Sequence, residues 1–404
     1  MCERHARLLL GMALVAFLAV LLVPGSGRAV PAFARKYRMS CTTCHAPAPR
    51  LKAYGEDFAG NAFQLEEDQE PKRFFYDTGD EILTLMRELP VAVRFDAFVQ
   101  YDYDDEQDLA DFKVPYGVKL LSGGNISERV GYYFYFYMSE QGEVAGLEDA
   151  YLHFNDLFGQ DLDIMVGQFQ VSDPLFKREL RLTYEDYEIY KTKVGDAPTN
   201  LTYDRGFMIT YGAPFGLDAV FEFVNGNGKG EPVGGHFDAD DWKNALLRLS
   251  YSMGPVRVGG FGYLCNSVVE VYGEAAEDEH YYWGLDATAD YRDILQLNVQ
   301  YLERRDDNPF FMLGSNPTAV DTRGGFAELI WAVNGEMGRT FVTALYNYVE
   351  SKTDTPVETL LYEYNAGTVS LSYLLRRNLR LVAEGTYNET DDAFRFVGGF
   401  ASAF

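Results

Sequence analysis

From about residue 90 to its end the chain keeps one pattern: segments of about ten residues in which apolar and polar side chains alternate, each closed by a turn or loop. A period of two sends successive side chains to opposite faces of a strand, so a chain written this way forms sheet with one apolar face. In 280–291, Tyr281, Trp283, Leu285, Ala287, Ala289 and Tyr291 share a face against His280, Asp286, Thr288 and Asp290. In 90–101, Val91, Val93, Phe95, Ala97, Val99 and Tyr101 oppose Arg94, Asp96 and Gln100. The apolar face often ends in an aromatic, as a girdle at a lipid interface requires.

Sixteen strands are predicted near 90–101, 113–122, 129–139, 146–155, 161–170, 203–212, 217–225, 243–253, 255–264, 280–291, 294–304, 323–333, 339–350, 358–374, 378–388 and 393–404. Their connectors alternate in length. Tight links at 213–216, 254–255, 291–293 and 376–378 interleave with long acidic ones at 102–112, 171–202, 225–242, 265–279 and 303–321. Short turns on one side and long loops on the other are the sidedness of an outer-membrane barrel, and the last residue, Phe404, resembles a barrel-assembly signal. A large soluble β-protein would also have apolar inner faces. The expected fold is nonetheless all-β, an outer-membrane antiparallel barrel of about 16 strands behind a small N-terminal segment.

Residues 1–29 read as a secretory signal: Arg4 and Arg7, an apolar run over 8–23, then Gly27-Arg-Ala29 as a small-x-small cleavage site. The apolar run is short for a membrane span. Three parts follow: signal 1–29, N-terminal segment and connector 30–88, and barrel 89–404. The formal charge of −26 excludes nucleic-acid binding by phosphate neutralisation and favours attraction of cations. With 29 Tyr, 29 Phe and only 15 Pro, the composition fits strands rather than disorder.

The N-terminal segment carries Cys41-Thr-Thr-Cys44-His45, the C-x-x-C-H signature of c-type haem attachment. Two thiols three positions apart can each form a thioether to a haem vinyl group, and the adjacent imidazole of His45 then supplies an axial nitrogen to the iron. A zinc knuckle would need a fourth donor, and no second Cys/His pair lies nearby. One covalent haem c on Cys41 and Cys44 is therefore expected. For the sixth ligand, His153 shares an inward face with Asp149, Tyr151 and Asn155 near the short-turn end. A polar lumen residue without iron is the plainer reading of it. Met39 is close in sequence to the attachment site, while His236 and His280 fall on the long-loop side. Asp173 with Pro174 could start a helix in the longest loop, which could fold inward as a constriction. Cys265 has no sequence partner and reads as structural.

The segment resembles the fused monohaem cytochrome–porin family of outer-membrane proteins, best known from iron-oxidising bacteria. Pro31, Phe33, Ala34, Arg35, Cys41, Cys44, His45, Pro49, Leu51, Gly55 and Phe58 match its pattern; Lys36 replaces a Gln, and Tyr54 stands where Phe is usual. The match covers about 30 residues. The resemblance implies a small haem domain in or against the periplasmic mouth of the barrel, passing electrons across the outer membrane. An extracellular donor such as Fe(II), with Fe(II)-oxidising activity, and a periplasmic electron carrier would be its partners. The acidic loops would concentrate such a cation, although acidic loops also serve solubility alone. The competing expectation is a cation-selective diffusion porin with the haem domain as plug or redox sensor. A soluble periplasmic cytochrome is a third.

Overall fold

The computed structural model describes residues 32–65, 74–80, 83–104, 108–230, 232, 234–238, 240–314, 317–355 and 359–404. The signal segment 1–29, Pro31 and the acidic connector 66–70 lie outside the described residues. Three short helices come first: α1 (Ala32–Tyr37), α2 (Cys41–Cys44) and α3 (Ala53–Gly60). A two-residue ladder follows, β1 (Phe75–Tyr76) with β2 (Leu85–Met86).

Sixteen strands then close into one antiparallel barrel, as the alternation predicts. They are β3 (Val91–Tyr103), β4 (Asp108–Ser127), β5 (Val130–Glu140), β6 (Gly146–Phe154), β7 (Leu162–Gln170), β8 (Tyr203–Gly212), β9 (Leu217–Val224) and β10 (Asn244–Met253). The second half comprises β11 (Val256–Val271), β12 (Glu274–Tyr291), β13 (Leu295–Asp306), β14 (Val320–Ala332), β15 (Thr340–Thr353), β16 (Leu360–Arg376), β17 (Leu379–Asn388) and β18 (Ala393–Ala403). Along β12, Tyr281, Trp283, Leu285 and Tyr291 are exposed on the outer wall, while His280, Tyr282 and Asp286 are buried toward the lumen. The ring closes where β18 pairs with β3, and Val93 and the terminal Phe404 exchange backbone hydrogen bonds of 2.6 and 2.8 Å. Closure leaves no strand edge unpaired, a condition for sheet that meets lipid.

Two connectors differ from expectation. The loop expected over 102–112 is mostly strand, with Tyr103 paired to Asp108. The loop expected over 265–279 is a hairpin: β11 and β12 stay in register from Cys265↔His280 to Val271↔Glu274. Its turn is Tyr272-Gly273, both at positive φ (54° and 84°), the two-residue geometry that matches strand twist. Charge suggested a loop there, but Glu277 and Glu279 simply take the solvent-facing side of a strand that still alternates.

Loop 171–202 turns into the lumen. No helix starts at Asp173; the path is a series of turns with a 3-10 turn at Arg178–Leu180, and only α4 (Glu188–Lys191) is helical. Tertiary partners override the local helix signal. Tyr184 and Glu185 donate their backbone N–H groups to Glu384 on β17 (2.7 and 2.8 Å), and the Tyr190 hydroxyl donates to Gln300 on β13 (2.9 Å). Tyr187 stacks on Phe326 of β14 with ring centroids 4.0 Å apart, and Tyr190 meets the same ring edge-on at 5.8 Å. Such pairs each contribute roughly 0.5–1.5 kcal/mol beyond the area they bury.

Residues 32–65 occupy the short-turn end of the barrel and touch opposite walls. On one side Lys36 reaches Asn125 of β4 (2.6 Å), Phe63 stacks on Tyr133 of β5 (5.0 Å), and Asn155 donates to Asn61. On the other, Arg50 donates to Gln296 of β13 (2.6 Å) and Lys52 lies 3.5 Å from Glu336. The segment therefore crosses the lumen. Gly123 and Gly131 on the wall leave the space it needs, since a Cβ there would meet Phe33 at 2.9 Å and Ala62 at 2.6 Å.

Candidate functional site in the barrel lumen

The attachment motif forms one helical turn. Ser40 caps α2 by accepting from the Thr42 backbone N–H (3.3 Å), and His45 ends the turn with its own N–H on the Cys41 carbonyl (2.9 Å). Cys41 and Cys44 are both free thiols. The His45 ring is held by Nδ1, which lies 3.1 Å from the Pro49 carbonyl and 3.3 Å from that of Arg50. A ring fixed through Nδ1 presents Nε2, the arrangement of a metal-ligating histidine with its outer partner in place. Burial pushes the His45 imidazole below its ordinary range, against the raising effect of those two carbonyls, so the neutral ligand form is favoured. Burial pushes the Cys41 and Cys44 thiols up, which opposes thiolate chemistry at neutral pH.

These three residues line a cavity between the segment and the barrel wall, with ≈ 1690 Å³ of empty space out to its open mouth. Its apolar side includes Ala32, Phe33, Leu51, Phe58, Leu121 and Leu374. Its polar side includes Arg94, Asp149, Lys177, Glu179, Arg377 and Arg380. Burial alone would raise the Glu179 carboxyl, but Lys119, Arg181 and Arg94 hold it down at about 2. Two buried polar atoms on this lining, Arg380 Nε and Asp149 Oδ1, have no hydrogen-bond partner. An apolar slot beside Cys41, Cys44 and a neutral His45, with basic side chains at its border, fits a flat, carboxylate-bearing macrocycle such as haem.

The structure brings Cys41, Cys44 and His45 together at this cavity; His153 is not part of its lining. His153 is buried on β6 with Nε2 3.3 Å from Asp163 Oδ2 on β7. Met39 also lines the cavity. His236 is exposed in the loop between β9 and β10. Sequence reasoning missed Lys177, Arg377 and Arg380; only Arg380, on β17, has a strand register that could have signalled it, since Lys177 lies in loop 171–202 and Arg377 in the turn after β16.

Fold and site together define a porin-like sixteen-stranded barrel with a C-x-x-C-H turn held inside its lumen. The barrel is similar to that of a loop-deletion mutant of OmpT, an outer-membrane protein of Vibrio cholerae (TM-score 0.54, 14% identity, 78% of this chain and 99% of that one). It is also similar to the anion-selective porin from Comamonas acidovorans (TM-score 0.53, 12% identity, 78% and 99%) and to the outer-membrane channel DcaP of Acinetobacter baumannii (TM-score 0.56, 10% identity, 78% and 97%). No protein-family model matches the chain, and no curated protein matches it in sequence.

Proposed function

We propose that this protein is an outer-membrane barrel that carries one covalent haem c on Cys41 and Cys44, with His45 as axial ligand, and passes electrons between an extracellular donor and a periplasmic carrier. The observation that carries this reading is the position of the C-x-x-C-H turn, inside the lumen and on the wall of a cavity bordered by both barrel and loop 171–202. A haem bound there supplies a one-electron Fe(III)/Fe(II) couple. His45, fixed through Nδ1, would orient it, and Arg377 and Arg380 would meet its carboxylates. Packed side chains fill the middle of the barrel: a buried core runs from Tyr151 on the cavity wall through Tyr190 and Phe326 to Tyr282. That filling suits electron passage better than flow of solutes. Exposed Glu274, Glu277 and Glu279 would raise the concentration of a cationic donor such as Fe(II).

The likeness to a porin and an outer-membrane channel favours a second reading, a porin in which residues 32–65 act as plug or redox sensor, with cation selectivity resting on the chain's own acidic loops. Haem-peroxidase staining of a denaturing gel tests attachment; Cys41→Ser with Cys44→Ser should abolish the band. Sealed vesicles of known orientation then separate the readings. External Fe(II) that reduces the haem supports electron passage, and the rate should fall with salt as exposed charges are screened. Free ion flow without haem reduction replaces it with the porin reading.

A further inference from the structure

We propose that Asp278, His280 and Asp306 form a binding site for a divalent first-row transition-metal cation at the long-loop end of the lumen. Asp278 and His280 are successive lumen-facing residues of β12, and Asp306 ends β13 directly opposite His280 in the ladder. One ligand-type atom from each lies within 4.8 Å of the others, and all three side chains are buried, at 0%, 3% and 0% exposure. Arg304 answers one carboxylate: its Nε sits 2.9 and 2.8 Å from the two oxygens of Asp306. The other is not answered. Asp278 Oδ1 accepts from the Asn308 backbone N–H (2.7 Å), while Asp278 Oδ2 and His280 Nε2 have no hydrogen bond at all. Asp278 Oδ2 only approaches His280 Nδ1, at 3.2 Å.

A buried carboxylate without a charge partner is costly, and a cation among these groups removes that cost and gives Asp278 Oδ2 a partner. One imidazole with two carboxylates selects borderline metals such as Zn(II), Fe(II) or Co(II) over Mg(II) or Ca(II), which prefer all-oxygen sites. The loop after β13 covers the cluster: Asp307 N–H donates to the Glu279 carbonyl (3.1 Å) and Asn308 Nδ2 to that of Glu277 (3.1 Å). The site is independent of the C-x-x-C-H turn and stands whether or not haem is attached there.

The test is Co(II) and Zn(II) titration of the full-length, chelator-treated protein in detergent, followed by calorimetry and by the Co(II) ligand-field spectrum. One equivalent should bind. Asp278→Asn and His280→Gln should each weaken it by at least about tenfold, while the outward-facing Glu277→Gln with Glu279→Gln should weaken it only by the smaller factor that salt screening also removes, and the loop variant His236→Gln leaves it unchanged. Equal binding by wild type and Asp278→Asn, or equal loss in the Glu277/Glu279 variant, overturns the site in favour of diffuse acidic attraction. Heat-modifiable gel mobility reports whether each variant folds. Should both core variants fail to fold, pulsed EPR of bound Cu(II) decides in mature protein that carries Cys41→Ser, Cys44→Ser, His45→Gln, His153→Gln and His236→Gln and so keeps His280 as its one imidazole: coupling to an imidazole nitrogen supports the site, and its absence overturns it.

Discussion

Gly55 packs against the carbonyl of Cys44 so closely that a Cβ at position 55 would lie 2.3 Å from the oxygen and 3.0 Å from the carbonyl carbon. The third helix can therefore lie on the attachment turn only because residue 55 lacks a side chain. The obstructing atoms are backbone, so no rotamer change relieves the clash. Gly55→Val should destabilise residues 32–65 by about 1–3 kcal/mol, the usual cost of overpacking. Limited proteolysis should cut the segment faster in this variant, while the barrel keeps its heat-modifiable mobility.

Arg50 ties the segment to the far wall. Its Nε donates to Gln296 (2.6 Å), Nη1 to the Ala46 carbonyl (2.6 Å), and Nη2 lies 3.9 Å from Asp290. Arg50→Ala removes all three contacts. Single-channel conductance in planar bilayers should rise over wild type, and rise further with Lys52→Ala, since Lys52 beside Glu336 is then the remaining tie named on that wall. Unchanged conductance would mean the other wall suffices.

His45 provides a pH test. Its folded value is depressed from an ordinary 6.5 by burial, so the folded segment prefers the neutral ring. The linked stability is present above pH about 6.5 and is lost as pH falls from there through the lower folded value. In the Cys41→Ser, Cys44→Ser protein, cleavage of the segment should accelerate as pH drops below that range. His45→Gln in the same background should flatten the profile.

Glu384 holds the inward loop by accepting from two backbone N–H groups, Tyr184 and Glu185. Glu384→Ala leaves both donors buried without an acceptor, at about 1–3 kcal/mol for each. The loop should become protease-sensitive from the long-loop side, and denaturant stability should fall. Glu384→Gln keeps one acceptor oxygen but turns an amide NH2 toward the other N–H, so it should recover only part of the loss.

The number of strands, their order and their two faces were legible because each follows from local alternation, and a hairpin pairs only with its chain neighbours. The grouping of Cys41, Cys44 and His45 was equally legible, because the three lie within five residues and one helical turn. Charge misled where it stood for a loop: the acidic stretch 265–279 still alternates and continues as β11 and β12.

Contacts distant in sequence decided the rest. The path of loop 171–202 depends on partners such as Glu384, some 200 residues away, so its own helix signal at Asp173 could not predict it. His153 and His280 look alike as lumen-facing histidines on strands. One comes to lie beside Asp163, away from the cavity, and the other beside Asp278 and Asp306 under a covering loop. Periodicity assigns a side chain to a face, and local spacing builds a turn. Which groups meet across the lumen is fixed only when the ring closes and its loops and N-terminal segment fill the space within.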